Sequence, residues 1–168
     1  DQVFLITGGG GAIGTAMATL FGRLGATIVA CGRTEEKLDV LAERLGSIGV
    51  PVHTRAKTIR DPDQVTALVD EAWDTCGRLD HVINNAGGQF SSPALDITPK
   101  GWNAVVETNL YGTWYMMQEA ARRWVDESES GNAQSGNIIN ISTIQGRASV
   151  GIPHTAASRA GGVALSRS

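Results

Sequence analysis

Short apolar runs alternate with longer amphipathic stretches along the whole chain. The apolar runs are rich in Val and Ile and are bounded by glycine or polar residues, which is typical of buried strands. They predict strands at Val3–Thr7, Thr27–Cys31, Val50–Thr54, His81–Asn84 and Asn137–Ser142. Apolar residues at helical spacing predict helices over Ala12–Leu24, after Thr34, from Asp61 to about Cys76, over about Lys100–Val125 and from near Pro153 to Ser168.

The alternation of predicted strands and helices is typical of a parallel sheet that is covered by helices on both faces. Asn85–Pro99 and the polar Glu127–Gly136 are predicted as loops, and no internal repeat or interdomain linker is found. We therefore predict a single domain over residues 1–168, with an α/β fold built on a doubly wound parallel sheet of the Rossmann type. The last predicted helix has no stop signal, so we expect the C-terminal part of the fold to be missing from this chain.

Composition narrows the class of protein. Hydrophobic residues make up 42% of the 168 residues and charged residues 18%, which is typical of a folded globular domain. The formal net charge of −3 gives no broad attraction to nucleic acid or to an anionic membrane, so we expect neither as a partner. No apolar run could span a bilayer and no signal peptide is evident, while Cys31 and Cys76 form neither a disulfide framework nor a metal-ligand set. We therefore expect a soluble cytoplasmic protein without a bound metal.

A glycine-rich segment, TGGGGAIG at Thr7–Gly14, joins the first predicted strand to the first predicted helix. Glycines at this position allow a tight turn and let a pyrophosphate approach the N-terminus of the helix. A plain strand–helix turn is the alternative interpretation, but the four successive glycines at Gly8–Gly11 favour dinucleotide binding.

This segment, NNAG (Asn84–Gly87), NLYG (Asn109–Gly112) and the later ISTIQG and SRAG motifs resemble the short-chain dehydrogenases/reductases over nearly the whole chain. Gly87–Met116 is similar in particular to the peroxisomal trans-2-enoyl-CoA reductases and, less closely, to the 2,4-dienoyl-CoA reductases. The resemblance implies a nicotinamide cofactor, a small-molecule substrate, a homo-oligomer that is commonly a tetramer, and a peroxisomal location as an alternative to the cytoplasmic one. Ala12 departs from the family pattern, which has Gly there.

The same resemblance implies cofactor contacts at Thr7, Gly8, Gly10, Ile13, Gly14, Arg33, Thr58, Ile59, Asn85, Ala86, Gly87 and Arg159. NAD-using relatives place Asp at the position of Gly32, where this chain has no carboxylate. Arg33 follows, and a guanidinium is the side chain best suited to a 2′-phosphate. A solvated Arg33 is the alternative interpretation; we expect the cofactor to be NADP(H).

The family's Asn-Ser-Tyr-Lys tetrad is only partly kept. Its positions match Asn109, Thr143 with Ser142 just before it, Thr155 and Arg159. Threonine is not a comparable acid near neutral pH, and arginine stays charged, although it still donates hydrogen bonds to ribose hydroxyls. In the family the matching Asn interrupts its helix and holds a water within a proton relay, which the resemblance implies for Asn109.

Three functions remain open. Reduction of an enoyl thioester, an acyl-CoA of the trans-2-enoyl type, needs hydrogen bonds to the thioester oxygen but no acid on it, and the resembled enoyl-CoA reductases also lack the usual Tyr. A ketone or aldehyde reductase needs a displaced acid, for which Tyr111, Tyr115 and His154 are candidates. Packing equally explains the tyrosines, and a surface position explains His154. A nucleotide-binding protein without turnover is the third function. We favour the first, with Phe90 and Trp102 at the substrate mouth.

Overall fold

The computed structural model of the protein describes residues 2–132, 135–143 and 151–167. The strands are β1 (Val3–Thr7), β2 (Thr27–Gly32), β3 (Val52–Ala56), β4 (His81–Asn84) and β5 (Asn137–Asn140). The helices are α1 (Ala12–Arg23), α2 (Glu35–Gly46), α3 (Pro62–Cys76), α4 (Pro99–Val106), α5 (Gly112–Glu129) and α6 (Pro153–Leu165). A short π-helical segment at Glu107–Tyr111, called the π turn below, joins α4 to α5. A 3₁₀ turn lies at Ala94–Asp96.

The strands form one parallel sheet in the order β3-β2-β1-β4-β5. Leu5 in β1 pairs with Val29 in β2 on one side and with Val82 in β4 on the other. The chain winds outward from β1 to β3 and then returns to β4 on the opposite side of β1, so the direction of winding reverses between β1 and β4. Such a sheet opens a crevice for ligands at this point, beyond the carboxyl ends of the strands. The predicted fold class is confirmed.

Alternate residues of β1 point into two separate cores, one on each face of the sheet. Val3 and Leu5 join the core that α3 and α5 cover, through Val65, Leu68, Val69, Ala72, Met116 and Ala120. Phe4 and Ile6 join the core that α1 and α2 cover, through Ala18, Leu38, Leu41 and Leu45. Every described helix is too short or too polar to cross a lipid bilayer.

Local signals fix where the helices begin and end. Asp61 accepts a hydrogen bond from Asp63 N at 3.0 Å and Pro62 opens α3, while Gly77, at φ +69°, ends α3 in the left-handed conformation. Thr34 occupies the N-cap position of α2, as predicted, but its side chain makes no capping hydrogen bond. The amino end of α2 is therefore left without a side-chain cap.

Two strand boundaries differ from the prediction. The third strand runs over Val52–Ala56 rather than Val50–Thr54, because β3 follows β2 to its end, where Gly32 pairs with Ala56. The fifth strand ends at Asn140 rather than Ser142, because its partner β4 ends at Asn84. Hydrophobicity alone therefore placed these strands correctly in the chain but did not give their register.

The helix predicted over Lys100–Val125 is interrupted, because the π turn separates α4 from α5. Apolar residues keep roughly helical spacing across the junction, so the sequence pattern does not reveal the wider turn. Parts of other predicted segments lie outside the described residues: positions 144–146 of the ISTIQG motif, positions 133–134 of the polar loop, and Ser168.

Candidate active site

The carboxyl end of β1 leads into the glycine-rich loop and then into α1. Hydrogen bonds from Gly11 N to Gly8 O and from Gly9 N to Cys31 O in β2, both at 3.0 Å, hold the loop. The N-cap residue of α1 is Gly11, which has no side chain to cap the first turn. The first N–H groups of α1 are therefore available to an anion in the crevice.

Gly14 allows α1 to cross close above the loop. A Cβ atom at this position would overlap with the carbonyl oxygen of Gly8. Ala12, which departs from the family pattern, begins α1 with its side chain exposed. The close approach therefore depends on Gly14 and tolerates the methyl group of Ala12.

Thr7 and Asn85 tie the ends of β1 and β4 together. The Thr7 hydroxyl accepts hydrogen bonds from Asn85 N at 3.1 Å and from Ala86 N at 2.9 Å, and it donates to Ile83 O at 3.3 Å. The Asn85 amide donates to Thr7 O at 3.0 Å. Because Thr7 is fully buried, its hydroxyl supports the wall that Asn85 and Ala86 form.

A cleft of about 450 Å³ lies beyond these strand ends. Nine of the twelve predicted cofactor-binding residues line it: Gly8, Gly10, Ile13, Arg33, Thr58, Ile59, Asn85, Ala86 and Gly87. The other three predicted residues, Thr7, Gly14 and Arg159, lie outside its lining. Sequence reasoning missed several further lining residues, among them Lys37, Lys57, Arg60 and Thr108.

Basic side chains set the charge of the cleft. Arg33, Lys37, Lys57 and Arg60 line it, and none of its lining residues is acidic. Lys57 is paired with Glu71 at 2.8 Å, and the hydrogen bond from Lys57 lowers the pKa of the Glu71 carboxyl. Arg33 and Lys37 have no ion pair or hydrogen-bond partner within the described ranges. Two cations without protein partners at one end of a cleft suit a phosphate group. Lys37 lies in the first turn of α2, four residues after Arg33, and this nearness to the end of β2 is the signal that could have revealed it.

Asn109 lies in the π turn, where the Gly112 N–H donates to Glu107 O five residues earlier. The Asn109 side chain is buried, and its Oδ1 accepts a hydrogen bond from Gly88 N at 2.9 Å while its Nδ2 donates to Gly88 O at 3.0 Å. The predicted interruption of the helix at Asn109 is therefore present. Its side-chain amide is occupied by the Gly88 backbone, so Asn109 fixes the loop that follows β4.

Arg159 of α6 crosses between the ends of β4 and β5. Its Nη1 donates to Ile141 O at 2.7 Å, and a Cβ atom at Gly87 would overlap with its Nη2. Burial lowers the pKa of the Arg159 guanidinium. Asn109, Ser142 and Arg159 share the lining of a second cavity of about 30 Å³, which is large enough for one water molecule. The structure thus brings three of the predicted tetrad-region residues to one small cavity.

His154 is buried rather than at the surface, so the surface interpretation is wrong. Its Nδ1 accepts a hydrogen bond from Thr155 N at 2.9 Å, and its ring lies edge-on to Phe90 with 4.4 Å between centroids. Trp102 lies on the same ring at 6.4 Å. The aromatic cover explains the burial of His154, because α4 and the loop before it pack over the start of α6.

Of the two tyrosines that are candidates for the acid, Tyr111 is exposed at the π turn.

Comparison with known proteins shows the family. The model of the short chain dehydrogenases matches residues 2–168. The chain belongs to this family. A probable 2,4-dienoyl-CoA reductase, (2E)-enoyl-CoA-producing, of Bacillus subtilis (strain 168) is 36% identical over 167 residues, which cover 99% of this chain and 64% of that relative.

Solved short-chain dehydrogenases have the same fold. The citronellol catabolism dehydrogenase of Pseudomonas aeruginosa PAO1 matches with a TM-score of 0.90 and 31% identity, over 99% of this chain and 66% of that protein. A metagenomic short-chain oxidoreductase in complex with NADP matches with a TM-score of 0.88 and 28% identity, over 98% of this chain and 72% of that protein. The present chain thus spans 64% of the length of the Bacillus relative and 66% of that of the Pseudomonas protein.

The hydroxyl groups at the predicted tetrad of this short-chain dehydrogenase differ in accessibility. Ser142 and Thr143 are exposed directly after β5. Thr155 is buried, and its hydroxyl has no hydrogen-bond partner among the described residues. An exposed hydroxyl can meet a substrate without any rearrangement of the protein. Thr143 is therefore better placed than Thr155 to bind one.

Proposed function

We propose that the protein is an NADPH-dependent reductase of an enoyl thioester. The observation that carries this proposal is the state of the tetrad region: the acid of the family is replaced by Thr155, which is buried, while Arg159 donates to Ile141 O. Reduction of a conjugated carbon–carbon double bond adds hydride at Cβ and a proton from water at Cα. The thioester oxygen therefore needs hydrogen bonds, and not an acid that protonates it. The name of the Bacillus relative, probable 2,4-dienoyl-CoA reductase, supports the same substrate class.

The cleft fits a dinucleotide that carries an extra phosphate. The N-terminus of α1 would hold the pyrophosphate, since its first N–H groups lack a side-chain cap. Arg33 and Lys37 would hold the 2′-phosphate, because they are the cations of the cleft that lack partners in the described part of the chain. The metagenomic relative in complex with NADP supports this cofactor. When bound, NADPH supplies the hydride.

The chain's own groups would stabilise the charge that develops on the substrate. Thr143, exposed after β5, donates a hydrogen bond to the thioester oxygen. Asn109 holds Gly88, and Arg159 crosses against Gly87, so together they fix the loop beside the reacting centre. These fixed groups keep the donor geometry in place before the reaction begins, which is where their contribution to the rate arises.

The test measures NADPH oxidation by the full-length protein with a medium-chain trans-2-enoyl-CoA. Thr143→Val keeps the shape of the side chain and removes its hydroxyl, so we expect turnover to fall about 10²–10³-fold. Thr155→Val should lose much less, because the Thr155 hydroxyl is buried. Thr66→Val is the matched control, because Thr66 is exposed on α3 and bonds only to Pro62 O.

Each possible failure of this assay has its own meaning. A large loss in Thr155→Val with none in Thr143→Val would reverse the two assignments. Turnover of ketones or aldehydes but not of enoyl thioesters would make the protein a carbonyl reductase, with Tyr111 or another group as the acid. NADPH binding without turnover of either substrate class would leave a nucleotide-binding protein.

A further inference from the structure

The loop Lys57–Arg60, which follows β3, contacts the π turn through a side chain of the loop. The Arg60 guanidinium donates from Nε to the Thr108 hydroxyl at 2.6 Å and from Nη2 to Ala104 O at 2.8 Å. The Thr108 hydroxyl itself donates to Ala104 O at 3.0 Å. Arg60 therefore bridges the last part of α4 and the π turn with two directed hydrogen bonds.

The same loop also packs against the other end of the π turn. Ile59 is buried, and its side chain lies so close to Gly112 that a Cβ atom there would come within 2.6 Å of it. The carbonyl oxygen of Ile59 would be 2.9 Å from the same atom. The π turn is thus held between Arg60 on one side and Ile59 on the other.

The loop is itself anchored, so it can support the π turn. Thr58 N donates to Gln64 Oε1 at 3.0 Å, and Gln64 Nε2 donates to Asp61 Oδ2 at 2.9 Å. Asp61 is the residue that caps α3. Arg60 N in turn donates to the Thr58 hydroxyl at 3.3 Å. The hydrogen bonds therefore run without a break from the first turn of α3, through the loop, to the π turn.

A π turn is rare and occurs mostly as a single-turn interruption of an α-helix, so contacts from another element are expected to support it. A guanidinium presents several donors in a rigid plane, which allows Arg60 to bond a hydroxyl and a carbonyl together. Asn109 is the residue next to Thr108 and is paired with Gly88 through both atoms of its amide. A shift of Thr108 would therefore disturb the Asn109–Gly88 pair.

We propose that Arg60 is a positioning residue that holds the π turn, and with it Asn109, in the place where Asn109 pairs with Gly88. Arg60 also lines the cleft, together with Thr58 and Ile59. It therefore connects the proposed nucleotide site with the tetrad region. Only the catalytic consequence of this assignment rests on the proposed function. The structural consequence concerns the Gly88 N–H, and it can be measured without cofactor or substrate.

The first test is amide hydrogen exchange at Gly88 in the full-length protein, measured by NMR without ligands. Arg60→Gln removes the guanidinium, and Thr108→Val removes its partner while Arg60 keeps its charge. Both variants should speed exchange at Gly88 by about tenfold or more, because the bond to Asn109 Oδ1 opens more often. Arg60→Lys keeps the charge but cannot bond Thr108 and Ala104 together, so it should behave like Arg60→Gln. Arg44→Gln, at an exposed position of α2, should leave exchange at Gly88 unchanged.

The second test separates positioning from cofactor binding. If the enzyme has the proposed activity, Arg60→Gln and Thr108→Val should each lower kcat about tenfold, with less than about threefold change in the KM for NADPH. A raised KM with an unchanged kcat would assign Arg60 to cofactor binding and overturn the proposal. Unchanged Gly88 exchange in Thr108→Val would also overturn it, even if Arg60→Gln failed to fold. Faster exchange in a protein that reduces no enoyl thioester would contradict the proposed function alone.

Discussion

Arg33 and Lys37 differ from the other two basic residues of the cleft in what they contact. Lys57 forms an ion pair with Glu71, and Arg60 donates hydrogen bonds to the Thr108 hydroxyl and to Ala104 O. Arg33 and Lys37 have no such partners within the described residues, so their charges are available to a ligand. A free guanidinium at the end of β2 is the residue-level feature that favours a cofactor with a 2′-phosphate.

Replacing Arg33 with Ala should therefore change cofactor preference. We expect the dissociation constant for NADPH to rise about ten- to hundredfold, because a charge-assisted hydrogen bond to the phosphate is lost. The dissociation constant for NADH should change little, because NADH has no 2′-phosphate. Titration calorimetry on the full-length protein measures both, with Arg44→Ala as a control at an exposed position. Equal losses for the two cofactors would mean that Arg33 does not bind the phosphate.

Sequence reasoning found nine of the 19 residues that line the cleft, but not what each one contacts. Asn85 follows from the NNAG motif, yet its amide is bonded to Thr7 O across 78 positions of the chain. The sequence leaves His154 open between an acid and a surface residue, because a single polar residue at a helix start gives no sign of the aromatic rings that cover it. Such partners come from distant parts of the chain, and a local pattern carries no information about them.

Among the elements, β1 and β4 are joined at their amino ends as well as at the cleft. Asp80, which precedes β4, accepts a hydrogen bond from Val3 N at 2.8 Å and from Arg78 Nε at 2.9 Å. Burial alone would raise the pKa of the Asp80 carboxyl, but the bonds from Arg78 and Val3 outweigh it and the pKa is lowered. The charged form of Asp80 thus links the amino ends of β1 and β4 through its hydrogen bond from Val3 N.

Asp80→Asn should destabilise the full-length protein by about 1.5–3 kcal/mol at pH 7, because hydrogen bonds to a charged group are replaced by weaker ones. A depressed pKa in the folded state stabilises the protein above the ordinary Asp pKa of about 3.9, and this contribution is lost as the pH falls through the lower folded value. The difference between wild type and variant, measured by urea unfolding, should therefore shrink below about pH 4. Asp39→Asn, exposed on α2, is the control. A difference that stays constant with pH would contradict the role of the charge.

The interrupted helix shows that the hydrophobic pattern of one element gives no information about its contacts with other elements. Helical periodicity predicts one helix across the segment from α4 to α5, and the family resemblance implies an interruption at Asn109. The wider turn itself depends on Arg60, which is 48 residues earlier than Thr108 and belongs to another element. The location of the irregularity was therefore predictable, whereas the contacts that stabilise it were not.

The outer surface of α5 matters for the molecule as a whole. Trp114 and Val125 are 40% and 54% exposed, and they border an apolar groove of about 480 Å³ that Met117, Ala121, Ile138 and Leu165 also line. Exposed apolar area of this kind is typical of an interaction surface. We expect this face to carry the homo-oligomer that the family resemblance implies.

The full-length protein should therefore self-associate, and Ala121→Glu should weaken the association, because a carboxylate would be buried in an apolar interface. Sedimentation velocity measures the change as a shift toward smaller species, with the fold checked by circular dichroism. Asp74→Glu, on a different helix, keeps the charge and serves as the control. A wild-type monomer would mean that this groove is not an interface between copies.

The bond between Thr7 and Asn85 also has a consequence for synthesis of the protein on the ribosome. The glycine-rich loop emerges early, but the wall opposite it is absent until Asn85 has been translated, 78 positions later. The buried Asn109, which secures Gly88, follows still later. We therefore expect a nascent chain that ends before these residues not to retain a dinucleotide, so the cofactor should have no part in the first folding steps. Its stabilising effect begins only when most of this chain has left the exit tunnel.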